Sequence, residues 1–192
     1  MAEQSSLVRL EEDFDIGVDW RGFELHPETP MGGLLLEQVF PASRIKDMRE
    51  YMEKFAVGFG IHDMETPIRM PNTRRALAIT EFARDHGRLD DFRKLAMKAH
   101  WKEGRNLESM NDLAEIATLS GLDAEATLRA ADSSEYLGRV DKLHDEACRM
   151  GITGIPTFII GKERVVGCQP YEVLAGATRR AGAVQSGRFP KD

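Results

Sequence analysis

The sequence lacks the features that mark several large classes of protein. Its 192 residues contain two cysteines, Cys148 and Cys168, 20 residues apart, and this pattern predicts neither a disulfide framework nor a zinc site. No apolar run reaches the length of a membrane span, and Met1–Ser6 lack the charged and apolar regions of a secretory signal. We therefore expect a cytoplasmic protein with reduced thiols, no bound metal and no membrane contact.

The charge pattern also argues against several kinds of partner. Lysine and arginine number 26 against 32 aspartates and glutamates, and no basic cluster with interleaved aromatic residues occurs. Nucleic acid is therefore not an expected partner, and binding to an acidic surface is disfavoured. Apolar residues make up 42% of the chain, which is enough at this length to bury a core.

Helical spacing of apolar residues dominates the middle of the chain, from about Pro41 to Met150. The apolar stripes predict helices over residues 7–13 and 171–181 and others that begin near Ile45, Asn72, Leu89, Ser109, Asp123 and Ser133. Asn72, Ser109 and Asp123 are expected to act as N-caps, because their side chains can accept hydrogen bonds from the first turn.

Two regions carry strand signals. Residues 16–25 alternate apolar and other side chains with one change of phase, which predicts a strand with a bulge. Thr157–Ile160 and Arg164–Gly167 are predicted strands of a hairpin that turns through Gly161–Glu163. The tail from Gly182 onward is expected to be loose.

A proline opens the first strand of that hairpin, in the run Gly154–Phe158 (GIPTF). An Xaa-Pro bond is the one peptide bond for which the cis form costs little free energy, so the fold could hold a cis Ile155–Pro156 bond. Such a bond would turn the Ile155 N–H and C=O outward, where they could pair with an extended peptide or with glutathione. A trans proline that only opens an edge strand is the local alternative. Ile155 and Pro156 are the candidate substrate-binding residues.

Five short motifs follow one another along the chain: Trp20–Pro27 (WRGFELHP), Asn72–Ala76 (NTRRA), Glu103–Asn106 (EGRN), Gly154–Phe158 (GIPTF) and Gly167–Tyr171 (GCQPY). Together they resemble the DsbA-like group of thioredoxin-fold proteins, in the branch of the FrnE-type oxidoreductases and the 2-hydroxychromene-2-carboxylate isomerases. The resemblance runs from about Leu7 to Ala181. It implies an α/β, thioredoxin-like fold with a large all-helical insertion.

The resemblance also implies a division into domains. Residues 1–40 and 151–185 correspond to a thioredoxin-like domain, residues 41–150 to a helical insertion that includes the long connecting helix, and residues 186–192 to a loose tail. The first central strand of this fold and the Cys-x-x-Cys pair after it have no counterpart in the sequence. We expect Met1 to be an internal methionine of the first active-site helix, with the strand and the motif upstream. A strand edge left unpaired would favour a homo-oligomer.

Three candidate functions follow from the resemblance. The first is a thiol–disulfide oxidoreductase of the FrnE type that acts on a disulfide-containing protein or peptide. This chain would then contain no catalytic residue, and it should be inactive in dithiol exchange. The second is a glutathione-dependent isomerase, with glutathione as co-substrate beside a small aromatic compound. Ser5 or Ser6 would then stand in for its serine, although an exposed serine in a frayed terminus is the commoner case. The third is a non-catalytic protein that binds peptides or partners. No further cofactor is expected.

A few other residues have two interpretations each. Cys168 is predicted to return to the same end of the hairpin as Pro156, opposite to it, which makes it the candidate redox-accessible thiol; the alternative is a small buried hydrophobe. Cys148 is expected to be structural, because the end of a helix disfavours a thiolate. Arg74 and Arg75 could hold an anionic ligand or form surface ion pairs.

Overall fold

The structure, a computed structural model, describes residues 2–65 and 67–186. The elements follow in this order: α1 (Ala2–Asp13), β1 (Leu34–Leu35), α2 (Leu36–Val39), α3 (Ala42–Gly58), β2 (Arg69–Met70), α4 (Arg74–Asp85), α5 (Leu89–Lys102), α6 (Met110–Leu119), α7 (Ala124–Ala131), α8 (Ser134–Arg149), β3 (Thr157–Ile160), β4 (Glu163–Val166) and α9 (Tyr171–Arg180). The strands pair two by two, β1 with β2 and β3 with β4, and both pairs are antiparallel.

The chain divides into two compact units. The first unit comprises the described residues up to Arg21 and those from Gly151 onward, and the second unit comprises Gly22–Met150. Residues 22–40 thus cluster with the helical segment. A domain is a segment that can fold on its own, which is a different criterion from contact within the folded chain. The predicted domain limits therefore stay a prediction.

The second unit is built around α4, α5, α6 and α7, whose inward faces carry alanines between larger apolar side chains. These residues form one buried cluster: Ala76, Ile79, Phe82, Ala83, Phe92, Ala96, Ala99, Leu107, Leu113, Ile116, Ala117, Leu122, Ala130 and Ala131. Because alanine adds little bulk, the helices can pack closely while the phenylalanine and branched side chains fill the space between them.

Two of the predicted helix caps are confirmed. The Ser109 side chain accepts a hydrogen bond from the Asp112 N–H at the start of α6, and the Asp123 side chain accepts one from the Ala126 N–H at the start of α7. Each bond satisfies one of the N–H groups that a helix leaves unpaired in its first turn.

The first unit packs the β3–β4 hairpin on α1 and α9. Its buried centre consists of five residues from or beside these helices: Leu7, Leu10, Phe14, Leu174 and Ala175. One face of the hairpin packs against this centre through Phe158, Ile160 and Val165. The opposite face includes Ile159 and Val166, which are exposed.

The strand predicted over residues 16–25 is wrong. The described backbone is irregular there, and just before it Phe14 forms an isolated bridge with Gln185. Ile16, Val18 and Trp20 nevertheless pack against the centre of the first unit. The alternation predicted which side chains lie inward, but a strand also needs a hydrogen-bonding neighbour, and within the described part of the chain none pairs with this stretch.

Helix α8 is less buried than its apolar spacing predicted. Val140 is its buried residue, whereas Met150, directly after its last residue, is 49% exposed. Neither α8 nor any other helix in the described ranges combines the length and the apolarity needed to cross a membrane.

The segment after α9 is anchored rather than loose as far as Ser186. The Asp15 N–H donates to the Val184 carbonyl and the Ser186 N–H donates to the Asp13 carbonyl, each over 2.9 Å. These bonds hold residues 184–186 beside the end of α1. The rest of the predicted loose tail, residues 187–192, lies outside the described residues.

Candidate functional site

The predicted substrate-binding residues, Ile155 and Pro156, lie just before β3. The peptide bond between them is cis. Ile155 is 54% exposed, and Pro156 is half-buried. The Thr157 hydroxyl donates a hydrogen bond to the Gly154 carbonyl over 2.7 Å, which ties the two ends of this short run together. Ile155 is therefore held in an ordered segment while its side chain faces solvent.

The turn of the hairpin differs from the predicted one. Ile160 pairs with Glu163, so the loop has two residues, Gly161 and Lys162, and β4 begins one residue earlier than expected. Gly161 adopts a φ of +61°, which suits the first position of a type II′ turn, a turn that needs glycine there. The predicted loop through Gly161–Glu163 is wrong because this tighter turn closes the strands directly.

The tighter turn decides which backbone groups of β3 face β4. Hydrogen-bonded and non-hydrogen-bonded pairs alternate along an antiparallel ladder, and the Gly167 N–H donates to the Pro156 carbonyl over 2.8 Å. By this alternation Ile155, Thr157 and Ile159 direct their N–H and C=O groups away from β4. No bond from these backbone groups to another segment is present among the described residues. We call this row of outward groups the β3 edge.

Cys168 lies beside this segment. Continuing the register past the Pro156–Gly167 pair places Cys168 at the level of Ile155, at the same end of the hairpin as Pro156 but one residue off the predicted position. The difference follows from the shorter loop. The Cys168 side chain is half-buried, and its role as a redox-accessible thiol stays a prediction.

Ser6 does not match the exposed serine that was expected at the terminus. It is 8% exposed, and its hydroxyl donates to the Gln169 carbonyl over 3.4 Å. The hydroxyl thus joins α1 to the segment that follows β4, next to Cys168. The Ser5 side chain is not among those described.

Arg74 and Arg75, the candidate anion-binding pair, are both engaged in ion pairs in the second unit. Arg74 contacts the buried Glu24 at 3.0 Å and the exposed Asp141 at 2.5 Å, and Arg75 contacts Asp132 at 2.7 Å. The hydrogen bond to Asp141, together with the charges of both acids, raises the pKa of Arg74. These contacts favour the ion-pair interpretation over a site for an anionic ligand.

A buried carboxylate near Arg74 was missed in the sequence. Glu108 is 8% exposed and accepts hydrogen bonds from the N–H groups of Gly32 and Asn72. The Asn72 side chain in turn donates to the Thr29 carbonyl over 2.7 Å and accepts from the Arg74 N–H over 3.0 Å. Asn72 thus ties the preceding loop to the first residue of α4, but the N-cap of α4 is Thr73, so the predicted N-cap lies one residue too early. A single glutamate in a sequence ordinarily indicates an exposed position. Only the tertiary contacts show that Glu108 is buried and accepts hydrogen bonds from the backbone.

Cys148 is exposed, and its structural role stays a prediction. Its Sγ lies 3.4 Å from Nε2 of His144, four residues earlier on α8.

Within residues 2–65 and 67–186, no cluster of three or more side chains suited to a metal ion occurs.

Comparison with known proteins agrees with this architecture. The sequence model of a family described as the DSBA-like thioredoxin domain matches residues 1–179. A crystal structure described as a probable DsbA oxidoreductase from Streptomyces coelicolor is similar with a TM-score of 0.75 and 23% identity, over 90% of this chain and 76% of that one. A 2-hydroxychromene-2-carboxylate isomerase is similar with a TM-score of 0.74 and 20% identity, over 93% of this chain and 87% of that one. At these identities the likeness concerns the fold. No curated protein is significantly similar in sequence.

Proposed function

The chain belongs to the DSBA-like thioredoxin domain family, and from this premise we propose that it serves in thiol–disulfide exchange of the FrnE type by holding an extended polypeptide substrate at Ile155 and Pro156. The observation that carries the proposal is the β3 edge, whose outward backbone groups at Ile155, Thr157 and Ile159 have no partner in the described structure. An extended peptide can pair with such an edge as an added strand. The partner we propose is a disulfide-containing protein or peptide in the cytoplasm.

The part this chain plays in the chemistry is binding and orientation. In disulfide exchange a thiolate attacks one sulfur of the substrate disulfide and displaces the other sulfur as a thiolate. The sequence contains no Cys-x-x-Cys pair, so we assign the attack to none of its residues. Main-chain pairing at Ile155 would fix the substrate backbone without regard to its sequence, as suits an enzyme that acts on many polypeptides.

Glutathione is the second ligand proposed for the same edge. It is a tripeptide, so its main chain could pair with Ile155 in the same manner. Ser6 would not be its thiol-binding serine, because the hydroxyl already donates to Gln169. Binding of glutathione together with a small aromatic substrate would indicate the isomerase function instead.

The test is a titration of the full, ¹⁵N-labelled chain, followed by amide NMR. Two probes are compared: S-carboxymethylated insulin B chain as the extended polypeptide, and S-methylglutathione as the tripeptide. We expect the insulin chain to shift the amide signals of Ile155, Thr157 and Ile159. Ile155→Pro removes the outward N–H and should abolish these shifts, whereas Ile155→Val keeps the N–H and should bind as the wild type does.

Each result separates the candidates. Shifts at the β3 edge with the insulin chain favour the oxidoreductase role, and shifts with S-methylglutathione alone favour the isomerase. Binding of neither probe, with the amide spectrum of a folded protein, would refute the proposal.

A further inference from the structure

A thiol and an imidazole meet on α8, in the second unit. His144 and Cys148 are four residues apart, which brings their side chains together on one side of a helix. The Sγ of Cys148 lies 3.4 Å from Nε2 of His144, and the Cys148 side chain is exposed. A soluble disulfide can therefore reach the sulfur.

The second unit fixes the orientation of the His144 ring. Phe23 stacks on it, with the ring centroids 5.3 Å apart and the planes 11° from parallel. The other ring nitrogen, Nδ1, is buried and has no hydrogen-bond partner in the described structure. The stacked ring thus keeps Nδ1 inward and Nε2 at the sulfur.

This burial decides which nitrogen carries the proton of the neutral ring. A buried N–H without an acceptor is more costly than a buried lone pair without a donor, and orphaned N–H groups are correspondingly rare in proteins. The proton therefore belongs on Nε2, which donates it to Sγ of Cys148. This contact places a hydrogen-bond donor beside the exposed sulfur and orients it.

We propose that His144 and Cys148 form a second thiol site, which reacts with low-molecular-weight disulfides such as glutathione disulfide. The Cys148 thiolate attacks one sulfur of the disulfide. The new bond joins Cys148 to one glutathione, the original sulfur–sulfur bond breaks, and the second glutathione leaves as a thiolate that takes a proton from solvent. The disulfide is the oxidant, and the product is a mixed disulfide on Cys148. The site does not depend on the function proposed for Ile155 and Pro156.

The experiment measures the rate at which the full chain gains one glutathionyl group in excess glutathione disulfide, by intact mass with peptide mapping. The variants are Cys148→Ser, Cys168→Ser and His144→Phe; phenylalanine keeps a ring to stack on Phe23 but has no nitrogen. We expect the wild type and Cys168→Ser to be modified at Cys148 at equal rates, and Cys148→Ser not to be modified at that position. His144→Phe should react about tenfold more slowly, as the loss of a hydrogen bond to a charged group predicts.

A second comparison needs no variant at His144. Cys148 in the folded wild type should react about tenfold faster than the same thiol in the chain unfolded in urea, because unfolding separates the sulfur from Nε2. Equal rates in folded and unfolded protein, or an unchanged rate in a folded His144→Phe protein, would overturn the proposal. So would modification of Cys168 in preference to Cys148.

Discussion

The backbone N–H of Gly167 donates to the carbonyl oxygen of Pro156 over 2.8 Å. This bond lies one residue beyond the last pair of the β3–β4 ladder, Thr157 with Val166. It holds Pro156 toward β4 and so leaves Ile155 directed away from it. The geometry of the candidate site thus depends on the glycine directly after the neighbouring strand as much as on the proline.

The first prediction concerns Gly167, which adopts a φ of +81°. The Cβ of an alanine there would lie 3.8 Å from the nearest atom, so it would not clash. An alanine is disfavoured at this positive φ, however, and Gly167→Ala should therefore lower the free energy of unfolding by about 1 kcal/mol. Gly154→Ala is the matched control, because Gly154 has neither a positive φ nor an atom within 4 Å of the added Cβ. Urea unfolding of both variants gives the comparison. Equal effects would contradict the conformational argument.

The second prediction compares two adjacent arginines. Removing Arg74 leaves the Glu24 carboxylate, whose side chain is 5% exposed, without its cation. Arg74→Met should therefore cost roughly 2 kcal/mol, less than the ~3–5 kcal/mol of a fully buried pair, because a third of the Arg74 side chain is exposed. Arg75→Met breaks only the pair with Asp132, which is 55% exposed, and should cost less than about 1 kcal/mol. Equilibrium unfolding in urea measures both losses.

A double variant tests the cause of the Arg74 effect. If the cost arises from an uncompensated charge on Glu24, Glu24→Gln should recover part of the stability lost in Arg74→Met. A double variant that is no more stable than Arg74→Met alone would instead assign the loss to packing of the arginine stem.

The third prediction concerns pH and His100. Burial lowers the pKa of His100 from its ordinary value of 6.5, against a weaker opposing effect of the Arg105 carbonyl. The unfolded chain therefore binds more protons than the folded chain below pH 6.5, so this contribution to stability is complete above that pH and is lost as the pH falls toward the folded-state pKa.

The measurement is the free energy of unfolding of the wild type and His100→Gln at pH 5, 6, 7 and 8. The difference between the two proteins should change between pH 7 and 5 and stay constant between pH 7 and 8. A difference that stays constant over the whole range would show that His100 does not titrate as burial predicts.

The fourth prediction concerns dithiol exchange. Because the sequence has no Cys-x-x-Cys pair, the chain should not accelerate the reduction of insulin by dithiothreitol above the uncatalysed rate. Cys148→Ser and Cys168→Ser should behave like the wild type in this assay. Catalysis that disappears in either variant would show that a single thiol of this chain does the work of the missing pair.

The local parts of the fold could be predicted because nearby residues decide them. Ser109 and Asp123 cap their helices through bonds to residues three positions away, and the apolar spacing predicted where the helices of the second unit lie. The hairpin register was missed by one residue, because a two-residue and a three-residue loop both fit Gly161–Glu163 until the strands are paired. The strand at residues 16–25 failed for a related reason: alternation reports burial, whereas a strand also needs a neighbour.

The sequence by itself determined the family, the helical second unit and the position of Ile155 and Pro156 before an apolar strand, since motifs, caps and apolar spacing are short-range signals. Tertiary structure decided which groups meet. It placed Cys168 at the level of Ile155, buried the Ser6 hydroxyl against Gln169, paired Arg74 with Glu24 across 50 residues of sequence and set the Phe23 ring on His144. Such contacts join residues far apart in the chain, and their geometry depends on how the elements pack, which no local pattern specifies.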